Sequence, residues 1–250
     1  MLHFPVLLEE SVDFLLNDLN GHYIDCTFGR GGHSKLILEK LTKDGFLTGI
    51  DKDPDAYEYA TKLKNNNFKI INDSFKNIEK YFEEESISGI LYDLGTCSTH
   101  LDQPERGFSF NKEGPLDMRF NNKTGIPLSD WLENASEEQI RDILYQYGDE
   151  KHAKLISNAI FRSKIKNKIT TTTQLSKIIK DIYPEKDKKI HPATKSFQAF
   201  RIFINNELEE ITRSLKAAEK LIKLGGFIVT IAFHSLEDNI IKNFFKPSLV

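Results

Sequence analysis

Apolar positions in this chain alternate between two periods, and the alternation outlines its elements. Over residues 5–16, Leu8, Val12, Leu15 and Leu16 recur at helical spacing behind Pro5, which suits a helix start, and Gly21 is expected to close that helix. Short apolar runs follow at 22–28, 46–50, 68–71 and 87–92, each of strand length. Between them the spacing predicts a helix from Lys35, a second behind an Asp53-Pro54 cap, and a third over about 75–85. Strand and helix in strict alternation predict a parallel α/β sheet. The pattern then breaks. Residues 104–125 hold Pro104, Gly107, Gly114, Pro115 and Gly125 and read as a structured loop. Helices follow: one behind the capping box Ser136-Glu137-Glu138-Gln139, one over 150–163, and one capped by Thr171-Thr172-Thr173-Gln174. Phe197, Phe200, Ile204, Leu208 and Ile211 lie on one helix face over 191–211. A further helix is expected to reach Leu224, Gly225-Gly226 to turn into a fifth strand at 227–233, and Ser235 with Asp238 to start a last helix at 239–245.

In a sheet of this kind a ligand sits beyond the carboxyl ends of the strands. Three such ends carry an acid: Asp51, Asp73 and Asp93. The first strand instead runs into Asp25-Cys26-Thr27-Phe28-Gly29-Arg30-Gly31-Gly32-His33-Ser34, a glycine turn feeding a helix. Glycine admits positive φ and close approach of a ligand to the main chain. Asp51 falls 20 positions after Gly31, the reach at which an acid meets a ribose. A glycine turn with such an acid fits both a nicotinamide dinucleotide and S-adenosylmethionine. The strict Gly-x-Gly-x-x-Gly pattern is broken by Ser34, which weighs against the dinucleotide.

Composition adds one asymmetry. The net charge is −3, but residues 1–150 carry 15 Lys/Arg against 28 Asp/Glu, whereas residues 151–200 carry 12 against 3. A basic stretch of that kind fits a polyanionic partner, or else a solvated lysine-rich helical face. No apolar run is long enough to span a membrane, and the acids Glu9 and Glu10 stand where a signal peptide is basic. The two cysteines, Cys26 and Cys97, form no metal-ligand pattern, so reduced thiols in a cytoplasmic protein are expected.

Several long stretches resemble one family. HFPVLLEE at 3–10, DCTFGRGGHS at 25–34, LYDLGTCSTHLDQPERGFSF at 91–110, GPLDMRF at 114–120, HPATKSFQAFRIFINNELEEI at 191–211 and AFHSLEDNIIKNFF at 232–245 are similar to the bacterial 16S rRNA cytosine-N4 methyltransferases, ribosomal RNA small subunit methyltransferase H. The resemblance implies a class I S-adenosylmethionine-dependent methyltransferase with a Rossmann-like parallel sheet. Its core would take residues 1–103 and 206–250, and a helical substrate-binding insertion residues 104–205. It implies donor contacts at Gly31, Gly32 and His33 (methionine end), Asp51 (ribose), Phe75 (adenine) and Asp93. A further contact falls at His100, where the family has glutamine, preceded by Thr99 in place of proline. Asn239 stands where the family usually has arginine, and the family's chains run on past the helix expected to end near Phe245, a tail that supplies final antiparallel strands. The expected reaction moves a methyl group to N4 of a cytosine in 16S rRNA of the small subunit, near the decoding centre. Arg106, Arg119, Lys195 and Arg201 are the candidate phosphate or base contacts, and His234 is a further polar group at a strand end. No general base is assigned and no metal is expected. An inactive or altered RNA-binding remnant, and a related methyltransferase acting on another RNA or a protein, remain open as alternatives.

Overall fold

The structure, a computed structural model, describes residues 5–183 and 191–246. In chain order its elements are α1 (Leu8–Leu15), β1 (His22–Asp25), α2 (Gly32–Lys40), β2 (Phe46–Ile50), α3 (Pro54–Thr61), β3 (Phe68–Ile71), a 3-10 segment (Phe75–Lys80) and β4 (Ile87–Asp93). Then come α4 (Ser98–Asp102), a short 3-10 turn (Pro104–Arg106), α5 (Leu128–Asn134), α6 (Glu137–Gly148), α7 (Ala153–Lys166), α8 (Thr172–Lys180), α9 (Thr194–Asn205), α10 (Glu207–Leu221), β5 (Ile222–Ile231) and α11 (Ser235–Phe245). The chain divides into two compact units, residues 1–95 with 208–250, and residues 96–207.

The first unit is a five-stranded sheet of order β3-β2-β1-β4-β5 with every pair parallel. This is the Rossmann-like strand order, in which ligands bind beyond the carboxyl ends of the strands. The two-residue period of its strands separates two cores. Tyr23, Leu47 and Leu91 face Val12, Leu15 and Ile37 on the α1–α2 side. Ile24, Ile50, Ile90 and Tyr92 face Ile211, Leu215 and Leu221 of α10 and Ile241 of α11 on the other. Both faces of β4 are therefore covered, and residues 87–92 are buried without a break.

The second unit, inserted in the sequence between β4 and β5, is helical. Leu128, Leu144, Ile156, Ile160, Leu175, Ile179 and Phe200 form its fully buried centre. Both predicted capping boxes are present, Ser136 with Gln139 and Thr171 with Gln174. α6 and α9 approach closely at Gly148, where a Cβ would lie 2.8 Å from the Lys195 carbonyl oxygen.

Several elements depart from the sequence expectation. α1 begins at Leu8 because Leu7 takes a left-handed φ of 51°, which leaves Pro5 outside the helix, and it ends at Leu15, short of Gly21. β1 stops at Asp25, since the chain turns into the glycine loop there. The expected helix over 75–85 is only the 3-10 segment, whose single buried residue, Ile78, offers no stripe to extend. The face over 191–211 is shared by two helices, because Asn206 adopts φ 51° and ends α9. Asparagine tolerates that conformation better than most residues. Finally, Gly225-Gly226 is a bulge inside β5 rather than a turn before it. Ile222 pairs with Ile87 and Phe227 with Gly89, so the intervening residues of β5 loop out around Gly225 at φ 80°.

Candidate functional site: the strand ends of the parallel sheet

The glycine loop is built around one buried acid. Asp25, 2% exposed, ends β1 and accepts hydrogen bonds from the Ser34 hydroxyl at 2.6 Å and the Thr27 amide at 3.1 Å. Burial pushes its carboxyl up, and the Ser34 bond and nearby His33 oppose that shift. The chain then turns tightly, the Gly31 amide donating to the Phe28 carbonyl at 2.7 Å. Gly29 and Gly31 take φ of 53° and 70°. A Cβ on Gly31 would lie 2.8 Å from Cζ of Phe28, and one on Gly49 would lie 2.9 Å from Cδ2 of the same ring, so Phe28 fills a slot between two glycines. Pro5 closes the loop from outside, since a Cβ on Gly32 would meet its Cγ at 2.2 Å.

Asp51 follows β2. Its Oδ2 accepts from the Gly29 amide at 2.8 Å and its Oδ1 from the Asp53 amide at 2.8 Å. Two loop amides that a phosphate cradle would need are thus already engaged, Gly29 on Asp51 and Gly31 on Phe28. The carboxylate itself keeps acceptor capacity, because two oxygens offer about four lone-pair directions. Asp73, after β3, is occupied differently. It accepts from Ser74, Asn77 and Tyr81, which hold it below the usual carboxylate range against the opposing effect of burial. It is a local brace for the 3-10 segment.

Phe75, half-buried, meets the edge of Tyr92 at 5.8 Å between ring centroids. The Ser214 hydroxyl lies 2.7 Å from the Tyr92 hydroxyl and donates to the Phe75 carbonyl at 3.0 Å, so α10 sets the position of that aromatic. Asp93 ends β4. Its amide donates to the Thr27 hydroxyl at 2.7 Å, and its Oδ2 lies 3.6 Å from Nδ1 of buried His33. Nε2 of His33 is 3.3 Å from the Val6 carbonyl oxygen. Gly31, Gly32, His33, Asp51, Phe75 and Asp93 thus all belong to the strand-end rim of the first unit. Two carboxylates, an aromatic ring and a loop with engaged amides suit a ligand with hydroxyls, a flat ring and positive charge, and disfavour a pyrophosphate. Asp25, Thr27 and Ser34 support this rim and were not singled out from the sequence, although Asp25 and Ser34 bound its longest glycine motif.

His234 caps α11 through Nδ1, 3.4 Å from the Glu237 amide, one residue ahead of the expected Ser235 cap. Its Nε2 stands 3.0 Å from Oε1 of Glu237.

The other candidates lie in the second unit. His100 is buried, its ring 5.0 Å from both Phe108 and Phe120 between centroids. Arg106 departs from the expectation of a phosphate contact: it is 4% exposed and donates to the carbonyls of Phe120 at 2.7 Å and Arg119 at 3.3 Å. Arg119 forms a two-pronged pair with Asp117 and donates to the Thr124 and Gly125 carbonyls. Lys195 donates to the Asp149 carbonyl at 2.8 Å, and Arg201 pairs with Glu207 through both carboxylate oxygens. Part of the basic stretch is internally matched as well, since Lys168 pairs with Asp130 and Glu133. Lys186, Lys188 and Lys189 lie outside the described residues, as do His3 and Phe4 of the first motif. No helix of the described residues is long and apolar enough to cross a membrane.

Known proteins match the chain closely. A protein named ribosomal RNA small subunit methyltransferase H from Marinomonas sp. (strain MWYL1) is 45% identical over 250 residues, covering 98% of this chain and 80% of its own. One of the same name from Buchnera aphidicola subsp. Cinara cedri (strain Cc) is 47% identical, covering 98% and 81%. Among solved structures, a SAM-dependent methyltransferase from Aquifex aeolicus aligns over 55% of this chain and 76% of its own, at 14% identity and a TM-score of 0.31. The profile of the MraW methylase family matches residues 1–249, and the chain belongs to that family.

Proposed function

We propose that this protein transfers a methyl group from S-adenosylmethionine to N4 of a cytosine in 16S rRNA of the small ribosomal subunit, near the decoding centre, in the cytoplasm. The observation that carries the reading is the strand-end rim, where Asp51 and the His33–Asp93 pair border a glycine loop whose Gly29 and Gly31 amides are engaged, with Phe75 following β3 on the same rim. Such a rim accepts a cationic nucleoside more readily than a dinucleotide phosphate. The names of the relatives, at 45–47% identity over nearly the whole chain, supply the rRNA substrate.

In this reading Gly31, Gly32 and His33 border the methionine end, Asp51 accepts from the ribose hydroxyls and Phe75 packs on the adenine. The bound donor supplies an electrophilic methyl group on a sulfonium. The chain's own residues must orient the nucleophile. The exocyclic amine of cytosine is weakly nucleophilic, since its lone pair is delocalised into the ring, and a fixed acceptor that holds its hydrogens favours the geometry of attack. Asp93 is the acceptor we assign, with His33 3.6 Å away holding its carboxylate in place. The target base must leave its stack to reach such a group. The helical unit at 96–207, with its basic stretch, is the part we assign to rRNA binding. Arg119, Lys195 and Arg201 are its candidate contacts, and they would have to exchange internal partners for phosphate.

The test incubates the protein with methyl-labelled S-adenosylmethionine and small subunits lacking the modification, then digests the RNA to nucleosides. Label in N4-methylcytosine supports the proposal. Donor binding without incorporation favours an inactive RNA-binding protein, and label in another nucleoside or in protein overturns the assigned substrate.

A further inference from the structure

A cysteine and a histidine meet in the second unit, at the start of α4. The Cys97 sulfur lies 3.3 Å from Nδ1 of His100 and 2.9 Å from the Thr99 hydroxyl. The backbone fixes the spacing, the His100 amide donating to the Cys97 carbonyl at 3.1 Å. Phe108 and Phe120 pack against the imidazole, each with its ring centroid 5.0 Å away. The two rings hold the imidazole in one orientation beside the sulfur. Cys97 is half-buried, within reach of a small solute. Burial pushes its thiol up, but the hydrogen bond and charge of His100 outweigh this and bring it below the ordinary value. The chain's other cysteine, Cys26, shows the opposite case: it is buried, and its thiol is pushed well up by burial.

We propose that Cys97 and His100 form a nucleophilic thiolate–imidazolium pair, a site of covalent oxidation by a hydroperoxide. The thiolate attacks one peroxide oxygen, so a sulfur–oxygen bond forms as the oxygen–oxygen bond breaks. The departing hydroxide takes the proton from Nδ1 of His100 and leaves as water. Sulfur is oxidised to the sulfenic acid, the peroxide is reduced by the same two electrons, and the imidazole ends neutral. A thiolate supplies the nucleophile and the adjacent imidazolium the proton that O–O cleavage needs, which is why a peroxide fits this pair. The inference is independent of the methyl-transfer reading, because it is measured on the thiol.

The test treats the reduced 250-residue chain with hydrogen peroxide and dimedone at neutral pH and maps the adducts by peptide mass spectrometry. The expected result is an adduct at Cys97 and none at Cys26. Alkylation of Cys97 by iodoacetamide should slow about tenfold in His100→Gln, as the thiolate fraction falls. In an ultraviolet pH titration the folded wild type should develop a thiolate absorbance, absent from Cys97→Ser, at lower pH than the urea-unfolded chain does. Circular dichroism establishes whether His100→Gln stays folded, and if it does not, the absorbance difference decides. A Cys97 thiolate absorbance that develops at no lower pH than in the urea-unfolded chain, equal alkylation rates in wild type and folded His100→Gln, or peroxide reaction at Cys97 no faster than in the urea-unfolded chain would each overturn the proposal.

Discussion

Ser34→Ala removes the shortest bond to the acid on which the glycine loop is built. Ser34 is 0% exposed and Asp25 2%, with 2.6 Å between hydroxyl and carboxylate. Water cannot reach the site to replace the lost donor. A hydrogen bond to a charged group contributes about 1.5–3 kcal/mol, so a loss of about 2 kcal/mol is expected. In a domain of this size that lowers Tm by roughly 4–8 °C. The pH dependence has a definite sign. Burial raises the Asp25 carboxyl in the folded state, so the native protein holds its proton to higher pH than the unfolded chain. Stability from this group is therefore greatest below the unfolded carboxylate range near ~3.9, falls as pH rises through the folded value, and is level above it. Removing Ser34 pushes the carboxyl further up, because the bond it loses had lowered it. The penalty of Ser34→Ala should then be full above the folded carboxyl's titration and shrink as pH falls through it and Asp25 takes up its proton in both proteins. Thermal unfolding of wild type and variant across that range measures it. A variant as stable as wild type at neutral pH, or a penalty that grows on acidification, would refute the reasoning.

Three further predictions rest on other parts of the molecule. Gly31→Ala should cost more than Gly125→Ala in thermal unfolding. Both hold φ near +70°, worth about 1–2 kcal/mol of strain, but only the Gly31 Cβ also meets a ring, Phe28, at 2.8 Å, whereas nothing lies within 4 Å of the other. Equal losses would remove the slot argument for Phe28. Asp51→Ala should weaken S-adenosylmethionine binding in calorimetry at least about thirtyfold, the loss of two hydrogen bonds to a carboxylate at about 1 kcal/mol each or more, and an unchanged Kd would take Asp51 out of the donor site. Asn205→Ala in the helical unit leaves the Phe120 amide and the Met118 carbonyl without their bonds of 2.7 and 2.8 Å to the Asn205 side chain. A loss of about 2–4 kcal/mol follows, with faster hydrogen exchange at the Phe120 amide as the direct readout.

What the sequence determined by itself was what local pattern controls. Strand length and alternation placed β2 and β3 to the residue, Asp53 capped α3 as its Pro54 neighbour predicted, and two capping boxes marked α6 and α8. The strand-end positions of Asp51 and Asp93 were legible because each closes a short apolar run of strand length. Tertiary structure decided the rest, since its causes lie between residues distant in sequence. Pro5 left its expected helix start and packs on Gly32. Asn206 broke a face whose apolar spacing ran on unbroken, because its backbone conformation, not the period, ends the helix. Gly225-Gly226 became a bulge through pairing with β4. Asp73, which looked like Asp51 in sequence, is consumed by Tyr81 and Asn77, and Arg106 by the carbonyls of Phe120 and Arg119. A charged side chain's type says what it can bind, but only the surrounding donors and acceptors decide whether that capacity is already spent. For Asp25 the same physics ran the other way. Burial and a single serine turned a residue that the pattern marked only as a strand end into the support of the glycine loop.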